Sequence, residues 1–361
     1  MSETMEGMTR LEKILACIDV RTQVGLEVGP LFNPIVTRDM GQIYYIDHAT
    51  TAELQVKYAH DPNVDIHKIV DVDYVWGKET LPELVGKNTP FDYLVASHVV
   101  EHVPDFIGWL QEIHAVLKVG GILSLIIPDK RYCFDYDRQP TQVADVVEAF
   151  LLHSRKPSPR QVFEHFTSAV TYDGNIVWDS STLVDSQKLQ RIHSPQDAWE
   201  LAQRSLFTDQ YIDAHCWVFT PQFFFDLLRS LIQMNLLGFK VEQFYETTGC
   251  EFYVSLKTLD LQKMSVSDRQ SLQLASLPSH FEATDSPPLI PLPSCETHLT
   301  PQQIQKLQRK TDNQANKIQR LTLRLEEAQQ QINTLQNSRS WKITAPLRWI
   351  QQQAFKPQHK A

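Results

Sequence analysis

Short apolar runs alternate with helical or loop segments through the first third of the chain, and this rhythm limits the possible folds more than any other feature. The runs cover residues 24–28, 43–46, 69–72, 91–96 and 122–127. Each is nearly continuous in apolar residues, as in strands that helices cover on both faces. Strands that alternate with helices in this way predict a parallel sheet.

The segment between the last two runs has the spacing of a helix. Within residues 106–117, apolar side chains recur at helical intervals at Ile107, Leu110, Ile113 and Leu117. The pair Gly120-Gly121 is predicted to end this helix, because glycine suits the backbone of a helix C-terminus.

Beyond Pro128 the pattern changes to longer helix-like stretches. Those at residues 143–152 and 197–206 predict a helical insertion over about residues 136–220. We expect this insertion to form a lid or a wall of the substrate site.

The next segment is predicted to complete the sheet. A helix at residues 223–231 precedes two strand-like runs, 239–245 and 251–256, and Thr247-Thr248-Gly249 separates the runs as in a hairpin. The whole pattern predicts an α/β fold with a doubly wound, mostly parallel sheet of seven strands.

Charge is unevenly distributed along the 361 residues, whose formal net charge is −9. Residues 300–361 contain eleven Lys or Arg and three Asp or Glu, a net charge of +8, so the rest of the chain is strongly acidic. Phosphate contacts require clustered Lys and Arg, and we therefore expect no nucleic-acid partner.

The cysteines and the lack of long apolar stretches indicate the cytoplasm. The five cysteines show no C-x-x-C spacing and so provide neither a zinc frame nor a disulfide framework. The sequence does not open with a basic stretch followed by an apolar one, and no eighteen uncharged apolar residues run together. We expect a cytoplasmic protein without a membrane-spanning segment.

The C-terminal part is predicted to contain a linker, a coiled coil and a basic amphipathic tail. Prolines stiffen the linker, residues 258–299. A heptad register holds over five repeats within residues 300–337, and residues 338–361 follow as the tail. The a positions are Ile304, Thr311, Ile318, Leu325 and Ile332, and the d positions are Leu307, Gln314, Leu321, Ala328 and Leu335. We prefer self-association of this helix, with packing on its own globular domain as the alternative.

The first two strands end in residues suited to a nucleoside. The first ends as Gly25-Leu26-Glu27-Val28-Gly29-Pro30, where Gly29 permits close approach of a ligand. Asp47 ends the second strand, and an acid there accepts hydrogen bonds from both ribose hydroxyls. Open α/β sheets bind ligands at the carboxyl ends of their strands, so the two motifs predict an adenosine-containing ligand.

The longest motif begins with the fourth strand. Its residues are Phe91-Asp92-Tyr93-Leu94-Val95-Ala96-Ser97-His98-Val99-Val100-Glu101-His102, followed by Leu117-Lys118-Val119-Gly120-Gly121 and Pro128-Asp129. With Glu27-Val28-Gly29, this order resembles the small-molecule class I S-adenosylmethionine-dependent methyltransferases over about residues 20–135. The usual second and third glycines after Gly29 are missing, which favours S-adenosylmethionine over a cofactor that contains a pyrophosphate.

The resemblance implies a methyltransferase domain over residues 1–257 with S-adenosylmethionine as its cofactor. Glu27 and Gly29 are expected at the turn that approaches the cofactor, and Asp47 at its ribose. Asp73, after the third strand, is expected near the adenine amino group. The end of the fourth strand lines the site of methyl transfer in this family, so Ser97 is expected beside the cofactor.

Methyl transfer is an in-line displacement that requires alignment more than acid–base chemistry. A hydroxyl acceptor still benefits from a base, and we predict His98 or Asp129 for that role. Lys130 and Arg131 are predicted to bind a phosphate or carboxylate of the substrate, with an ion-paired loop as the alternative. His215 either faces the cleft as a substrate ligand or bonds the backbone of the core.

Glu101 and His102 follow the fourth strand, and we interpret the pair as a brace for the cofactor loop. A minority of relatives use a similar pair for a divalent metal, but they have a further carboxylate where this chain has His98. The sequence shows no cage of oxygen ligands, so no metal is expected.

The ending Ser338-Arg339-Ser340-Trp341-Lys342-Ile343-Thr344-Ala345-Pro346-Leu347-Arg348 resembles a short tail of bacterial methyltransferases and glycosyltransferases in surface-polysaccharide assembly. This resemblance implies O-methylation of a sugar or glycan hydroxyl, with a homo-oligomer or a glycosyltransferase as the coiled-coil partner. The tail also suits peripheral contact with the inner membrane.

Two alternatives stay open for the activity. One is a catalytically inactive methyltransferase-like scaffold that works through its coiled coil, since a fold by itself does not fix a function. The other is a nucleotide-sugar-modifying dehydrogenase, which requires phosphate-binding glycines that are absent after Gly29.

Overall fold

Strands form at the apolar runs of the sequence, and seven of them join one sheet. The computed structural model describes residues 7–281, apart from residues 78, 89, 209 and 280. The strands are β1 (Val24–Val28), β2 (Gln42–Asp47), β3 (Tyr74–Val75), β4 (Phe91–Ser97), β5 (Leu117–Pro128), β6 (Val170–Tyr172), β7 (Leu189–Arg191), β8 (Phe239–Thr248) and β9 (Glu251–Thr258). The large sheet has the order β3-β2-β1-β4-β5-β9-β8, and β6 and β7 form a separate pair.

The direction of the strands matches the prediction. Strand β1 lies in parallel between β2 and β4, β3 is parallel to β2, and β5 is parallel to β4. Only β9 runs antiparallel, between β5 and β8, so β8 and β9 form the predicted hairpin. The doubly wound, mostly parallel seven-stranded sheet is thus confirmed, and its order reverses between β1 and β4, where such sheets open a crevice for ligands.

Nine α-helices occur within the described residues. They are α1 (Arg10–Ile14), α2 (Thr51–Lys57), α3 (Leu81–Val85), α4 (Phe106–Val116), α5 (Val143–Leu151), α6 (Pro159–Ser168), α7 (Pro195–Phe207), α8 (Pro221–Gln233) and α9 (Val266–Ala275). The predicted helices at 106–117, 143–152, 197–206 and 223–231 are confirmed as α4, α5, α7 and α8 to within two residues at each end.

Successive side chains of the central strands enter two different cores. Leu94 and Ala96 of β4 pack into the larger core, together with α4 and α8. Tyr93 and Val95 face the other way and pack with Ile14 of α1. Burial of a large apolar side chain contributes about 1.5–3 kcal/mol, so both faces of the sheet hold helices in place and the carboxyl edge stays fixed.

Part of the chain between β5 and α8 has a small apolar core of its own, whereas α5 packs on the main core. Helices α6 and α7 pack together through Val162 and Ala202, with Ile212 and Ala214 of the following segment against them. Both helices begin with a capping box and a proline in the first turn, at Ser158 and Ser194, which explains why they start where they do. The pair β6–β7 adds strands to a segment that was predicted to be helical.

The third strand lies later in the chain than predicted. Residues 69–72 form a loop that is bonded to α2: Thr51 Oγ1 donates to the carbonyl of Val70 and accepts from the amide of Val72. Only Tyr74 and Val75 pair with β2. The apolar residues of 69–72 lie near the core, as expected. Their backbone bonds to Thr51 of α2 instead of to a strand of the sheet.

The glycines after α4 do not end the helix as predicted. The helix ends at Val116, and Leu117 already has the extended backbone of β5. Gly120 adopts φ +82° inside β5, and a Cβ at Gly121 would lie 2.8 Å from the carbonyl oxygen of Lys118. Both glycines therefore permit an irregular, closely packed start of the strand.

Residues 266–275, predicted as part of the linker, form α9. Its Arg269 and Gln273 are buried, and the Gln273 amide donates 2.8 Å hydrogen bonds to the carbonyls of Leu237 and Phe239. The rest of the linker from residue 282, the predicted coiled coil 300–337 and the tail 338–361 lie outside the described residues. Among the helices that the structure describes, none is long and apolar enough to cross a membrane.

Candidate active site

The carboxyl ends of the parallel strands meet at one edge of the sheet, and several of the predicted site residues lie there. Gly29 follows β1, Asp47 ends β2, Ser97 ends β4 and Asp129 follows β5. Glu251 begins the antiparallel β9 opposite Pro128, so β9 adds a carboxylate to the same edge.

The turn after β1 is held open by glycine and fixed by a carboxylate. Gly29 has φ +66°, and among described residues a Cβ there would meet only Val99 Cγ2, at 3.5 Å. Glu27 accepts hydrogen bonds from the amides of Ile35 and Val36 at 2.7 and 3.0 Å. Burial raises the pKa of Glu27 to about 7 despite these two donors. Glu27 thus holds the loop beyond Gly29, in a chain that lacks the further glycines.

Asp47 is buried at the end of β2. Its Oδ1 accepts a 2.7 Å hydrogen bond from the amide of His48 and contacts the ring Nδ1 of His48 at 2.6 Å. Within the described part of the chain, no hydrogen bond is made to Oδ2. S-Adenosylmethionine fits these residues, since the turn at Gly29 leaves space beside β1 and a carboxylate oxygen of Asp47 is available for ribose hydroxyls.

One carboxylate oxygen of Asp73 is engaged within the protein. Its Oδ2 accepts from the amide of Tyr45 at 2.7 Å and from Arg38 at 2.8 Å. Through Oδ2 this carboxylate ties the segment before β3 to β2, and the predicted contact with adenine stays a prediction. Aspartate is common at strand ends for such local reasons.

A charged network crosses the edge from β4 to β9. His98 Nε2 lies 2.8 Å from Glu251 Oε2, and Arg10 Nε donates to Glu251 Oε1 at 2.6 Å. Arg10 also donates to Ser97 Oγ at 3.1 Å, and Tyr253 donates its hydroxyl to Glu251. His98 has φ +53°, a strained backbone for a non-glycine residue that turns the chain at the end of β4.

These contacts shift the pKa values of both central groups. Burial alone raises the pKa of Glu251, but hydrogen bonds from His98 and Arg10 outweigh it and lower that pKa to about 2. Burial lowers the pKa of His98, yet its hydrogen bond to Glu251 and the charge of Glu101 raise it above the ordinary value. The network keeps Glu251 ionised and makes the imidazole of His98 more basic.

Asp129 was predicted as a possible base, and the structure gives it a different role. The side chain is fully buried, and its two oxygens accept from Arg131 Nε and Nη2 at 2.6–3.1 Å. Thr247 Oγ1 donates to Oδ2 at 2.7 Å. A carboxylate occupied by a guanidinium and a hydroxyl is not available to accept a substrate proton, so Asp129 braces the loop after β5.

The two cations predicted to bind substrate are also engaged within the protein. Arg131 is held by Asp129, and Lys130 Nζ donates to the carbonyl of Tyr136 at 2.6 Å and lies over that ring. Burial lowers the pKa of Lys130. The alternative of an ion-paired loop describes these residues better than substrate recognition does.

His215 lies in the interior instead of facing the crevice as a substrate ligand. Its Nδ1 is 2.5 Å from Asp135 Oδ2, and Arg138 donates to the other oxygen of Asp135. The ring packs against His102 with centroids 4.5 Å apart. Glu101, just before His102, accepts from the amides of Cys216 and Trp217 through its carbonyl, which joins the turn after β4 to the end of the insertion.

Sequence reasoning missed Arg10 and Glu251. Arg10 lies on a five-residue helix with too few residues for a periodic signal, although its Thr9 and Glu12 form a capping box that marks a helix start. Glu251 is the first residue of a predicted strand and carries no motif. Only the antiparallel pairing of β9 with β5 brings it to the edge.

A family model matches just over half of the chain. This model, described as "Methyltransferase domain", matches residues 43–231. No curated protein matches the chain.

Solved structures with some likeness include a putative S-adenosylmethionine-dependent methyltransferase from Listeria monocytogenes. It is 12% identical with a TM-score of 0.35, over 69% of this chain and 96% of that one. The CcbJ methyltransferase from Streptomyces caelestis is 9% identical with a TM-score of 0.35, over 70% and 97% of the two chains. An S-adenosylmethionine-dependent methyltransferase from Mesorhizobium loti is 12% identical with a TM-score of 0.34, over 68% and 95%.

Proposed function

The chain belongs to the family of methyltransferase domains and is an S-adenosylmethionine-dependent methyltransferase, and from this premise we propose that it methylates a hydroxyl group of a sugar or glycan. The observation that carries the proposal is the pair His98 and Glu251 at the carboxyl edge of the sheet. This pair supplies the base that a hydroxyl acceptor requires.

The cofactor supplies an electrophilic methyl group on a sulfonium, and the sulfur leaves as a neutral thioether once the methyl group is transferred. In this proposal Asp47 accepts hydrogen bonds from the ribose, and Gly29 allows the backbone to approach the cofactor. Glu27 acts on the shape of that turn through the amides of Ile35 and Val36. Ser97, whose Oγ already accepts from Arg10, would lie beside the cofactor.

His98 takes the proton of the acceptor hydroxyl. Its Nε2–H donates to Glu251, which leaves Nδ1 as the nitrogen with a free lone pair in the neutral ring. Proton uptake produces an imidazolium that Glu251 and Glu101 stabilise, since Glu101 Oε1 lies 3.6 Å from Nδ1. The side chain of His98 is 39% exposed and therefore accessible to a substrate.

The need for a base separates hydroxyl acceptors from thiolates. A thiolate attacks a sulfonium methyl group with alignment alone, whereas a hydroxyl must lose its proton as the bond forms. Support for a sugar as the carrier of that hydroxyl comes from the likeness of residues 338–348 to the tails of polysaccharide-assembly enzymes.

The test begins with the cofactor. Calorimetric titration of the full chain with S-adenosylmethionine and S-adenosylhomocysteine is expected to give micromolar binding that Asp47→Ala weakens strongly. Methyl transfer from labelled cofactor to nucleotide-sugars and oligosaccharides follows, with His98→Ala expected to lower turnover by about 10²–10⁴-fold. His60→Ala, an exposed histidine on the loop after α2, serves as the matched control.

Two results would contradict the proposal. Folded wild-type protein that binds neither cofactor form supports the scaffold alternative. Label transferred only to amines or carbon atoms, with His98→Ala fully active, refutes the hydroxyl acceptor.

We further propose that residues 300–337 join chains as a coiled coil, either in a homo-oligomer or with a glycosyltransferase. The basic residues 338–361 then hold the cytoplasmic enzyme at the inner membrane. Light scattering of the full chain and of a chain ending at residue 299 measures the first claim, and flotation with anionic vesicles measures the second. A monomeric full chain refutes the homo-oligomer.

A further inference from the structure

Three potential metal ligands meet where the turn after β4 contacts the end of the insertion. They are Glu101, His102 and His215, and one ligand atom from each lies within 4.8 Å of the others. The rings of His102 and His215 are nearly perpendicular, at 82°. Of these three residues, only Glu101 has a part in the methyl transfer proposed above, through its charge beside His98.

The carboxylate of Glu101 is the first indication of a bound cation. Glu101 is completely buried, and neither of its side-chain oxygens has a hydrogen-bond partner among the described residues. The nearest cationic group is His98, whose Nδ1 at 3.6 Å from Oε1 is beyond hydrogen-bond reach and whose Nε2 is used by Glu251. Buried carboxylates are otherwise paired or bound to metals.

The two histidines are oriented as metal ligands usually are. His102 Nδ1 lies 2.8 Å from Asp213 Oδ1, and His215 Nδ1 lies 2.5 Å from Asp135 Oδ2. Each carboxylate therefore accepts a hydrogen bond from Nδ1–H, and Nε2 keeps its lone pair. Histidines that bind metals nearly always donate their other ring N–H to such a partner.

The second layer of the cluster is itself fixed. Asp135 is buried and also accepts a 2.9 Å hydrogen bond from the buried Arg138. The guanidinium compensates one negative charge in the interior, so His215 keeps its orientation. Such support around the ligands distinguishes a built site from a chance meeting of side chains.

We propose that Glu101 Oε, His102 Nε2 and His215 Nε2 bind one divalent first-row transition-metal ion, such as Zn²⁺. Two imidazoles and a carboxylate suit such ions, whereas Mg²⁺ and Ca²⁺ prefer oxygen ligands. Three protein ligands leave a coordination position for water or for an acceptor group. The ion also cross-links the turn after β4 to the end of the insertion. This proposal does not depend on the identity of the methyl acceptor.

The test uses the full chain after treatment with a chelator. Calorimetry with ZnCl₂ and MgCl₂ is expected to show one tight equivalent of Zn²⁺ and none of Mg²⁺, and Co²⁺ is expected to give the visible absorption of a four- or five-coordinate site. Zn²⁺ is expected to raise the melting temperature. Glu101→Gln and His215→Gln are expected to abolish this equivalent.

Two further variants keep the test decisive. Asp213→Asn removes the negative charge of a side chain that is 61% exposed. Folding is therefore expected to persist while Zn²⁺ affinity falls by about 10–100-fold. The ring of His114 lies away from the cluster and bonds the carbonyl of Leu259. His114→Asn is therefore expected to bind one equivalent of Zn²⁺ as the wild type does. The proposal is overturned if folded wild-type protein gives no cobalt spectrum and no zinc equivalent, or if Asp213→Asn and the ligand variants bind as the wild type does.

Discussion

Replacement of Asp129 by asparagine distinguishes a structural carboxylate from a catalytic one. Asp129 is completely buried and accepts three side-chain hydrogen bonds from Arg131, one from Thr247 and one from the amide of Arg131. An asparagine keeps one acceptor oxygen and presents an NH₂ group to the remaining donors. The guanidinium of Arg131, whose side chain is only 24% exposed, then lacks its counter-charge.

The expected cost follows from the loss of one partner of a buried ion pair, about 3–5 kcal/mol. For a domain of this size, 1 kcal/mol changes the melting temperature by about 2–4 °C, so Asp129→Asn is expected to melt about 6–20 °C below the wild type. The matched control is Asp137→Asn. Asp137 pairs with Arg191 at 2.8 Å on the surface, where both side chains are substantially exposed, and such pairs contribute about 0–1 kcal/mol.

Differential scanning calorimetry at pH 7 measures both variants beside the wild type, with methyl transfer assayed well below the melting temperature of the variant. The reasoning predicts a large fall in melting temperature for Asp129→Asn and a small one for Asp137→Asn. An Asp129→Asn protein that melts like the wild type but has lost turnover would refute the brace and restore Asp129 as a base.

Three other perturbations test the remaining parts of the edge. The pKa of Glu251 is lowered from 4.5 to about 2. Its contribution to the free energy of unfolding, at most about 3 kcal/mol, is therefore present above pH 4.5 and is lost as the pH falls toward 2. Urea unfolding at pH 7 and pH 3 is expected to show a smaller pH dependence for Glu251→Gln than for the wild type. The pKa of Glu27 is raised from 4.5 to about 7, so its effect has the opposite sign: stability falls by up to about 3 kcal/mol as the pH rises from 4.5 to 7, and equal slopes for wild type and Glu27→Gln over that range would contradict the assignment. Gly29→Val places a branched residue at φ +66°, which costs about 1–2 kcal/mol of stability. This variant is expected to bind the cofactor more weakly in calorimetry. The control is Gly77→Ala, whose Cβ would meet only Glu79 among described residues, and it is expected to bind normally.

The strands and long helices were predictable because their signals are local. Strand β1 coincides with the predicted residues 24–28, and α4 differs from its prediction by one residue. Burial on both faces of a parallel sheet requires apolar runs, and helical burial requires the 3.6-residue period, so the sequence itself records these elements. Helix α1 and strand β3 are too short to carry either pattern.

The sequence predicted the location of site residues that follow or end a parallel strand, but not their side-chain partners. Gly29, Asp47, Ser97 and His98 were located correctly at the carboxyl edge, because each follows or ends a parallel strand. Their roles depend on side-chain partners, and those partners come from distant parts of the chain. Asp129 illustrates the limit: its place was predicted, but the hydrogen bond from Thr247, 118 positions away, helps to make it a brace.

The sequence by itself determined the class of fold, the edge of the sheet at which the candidate site lies and the methyltransferase character of the chain. Tertiary structure alone decided which charges pair with each other. Glu251 reaches His98 because β9 runs antiparallel beside β5, and His215 reaches Glu101 because the insertion returns to the turn after β4. The periodicity of apolar residues reflects the burial of one local segment. The partner of a charged group, in contrast, is any group that the fold brings within a few ångströms, however distant it is in the sequence.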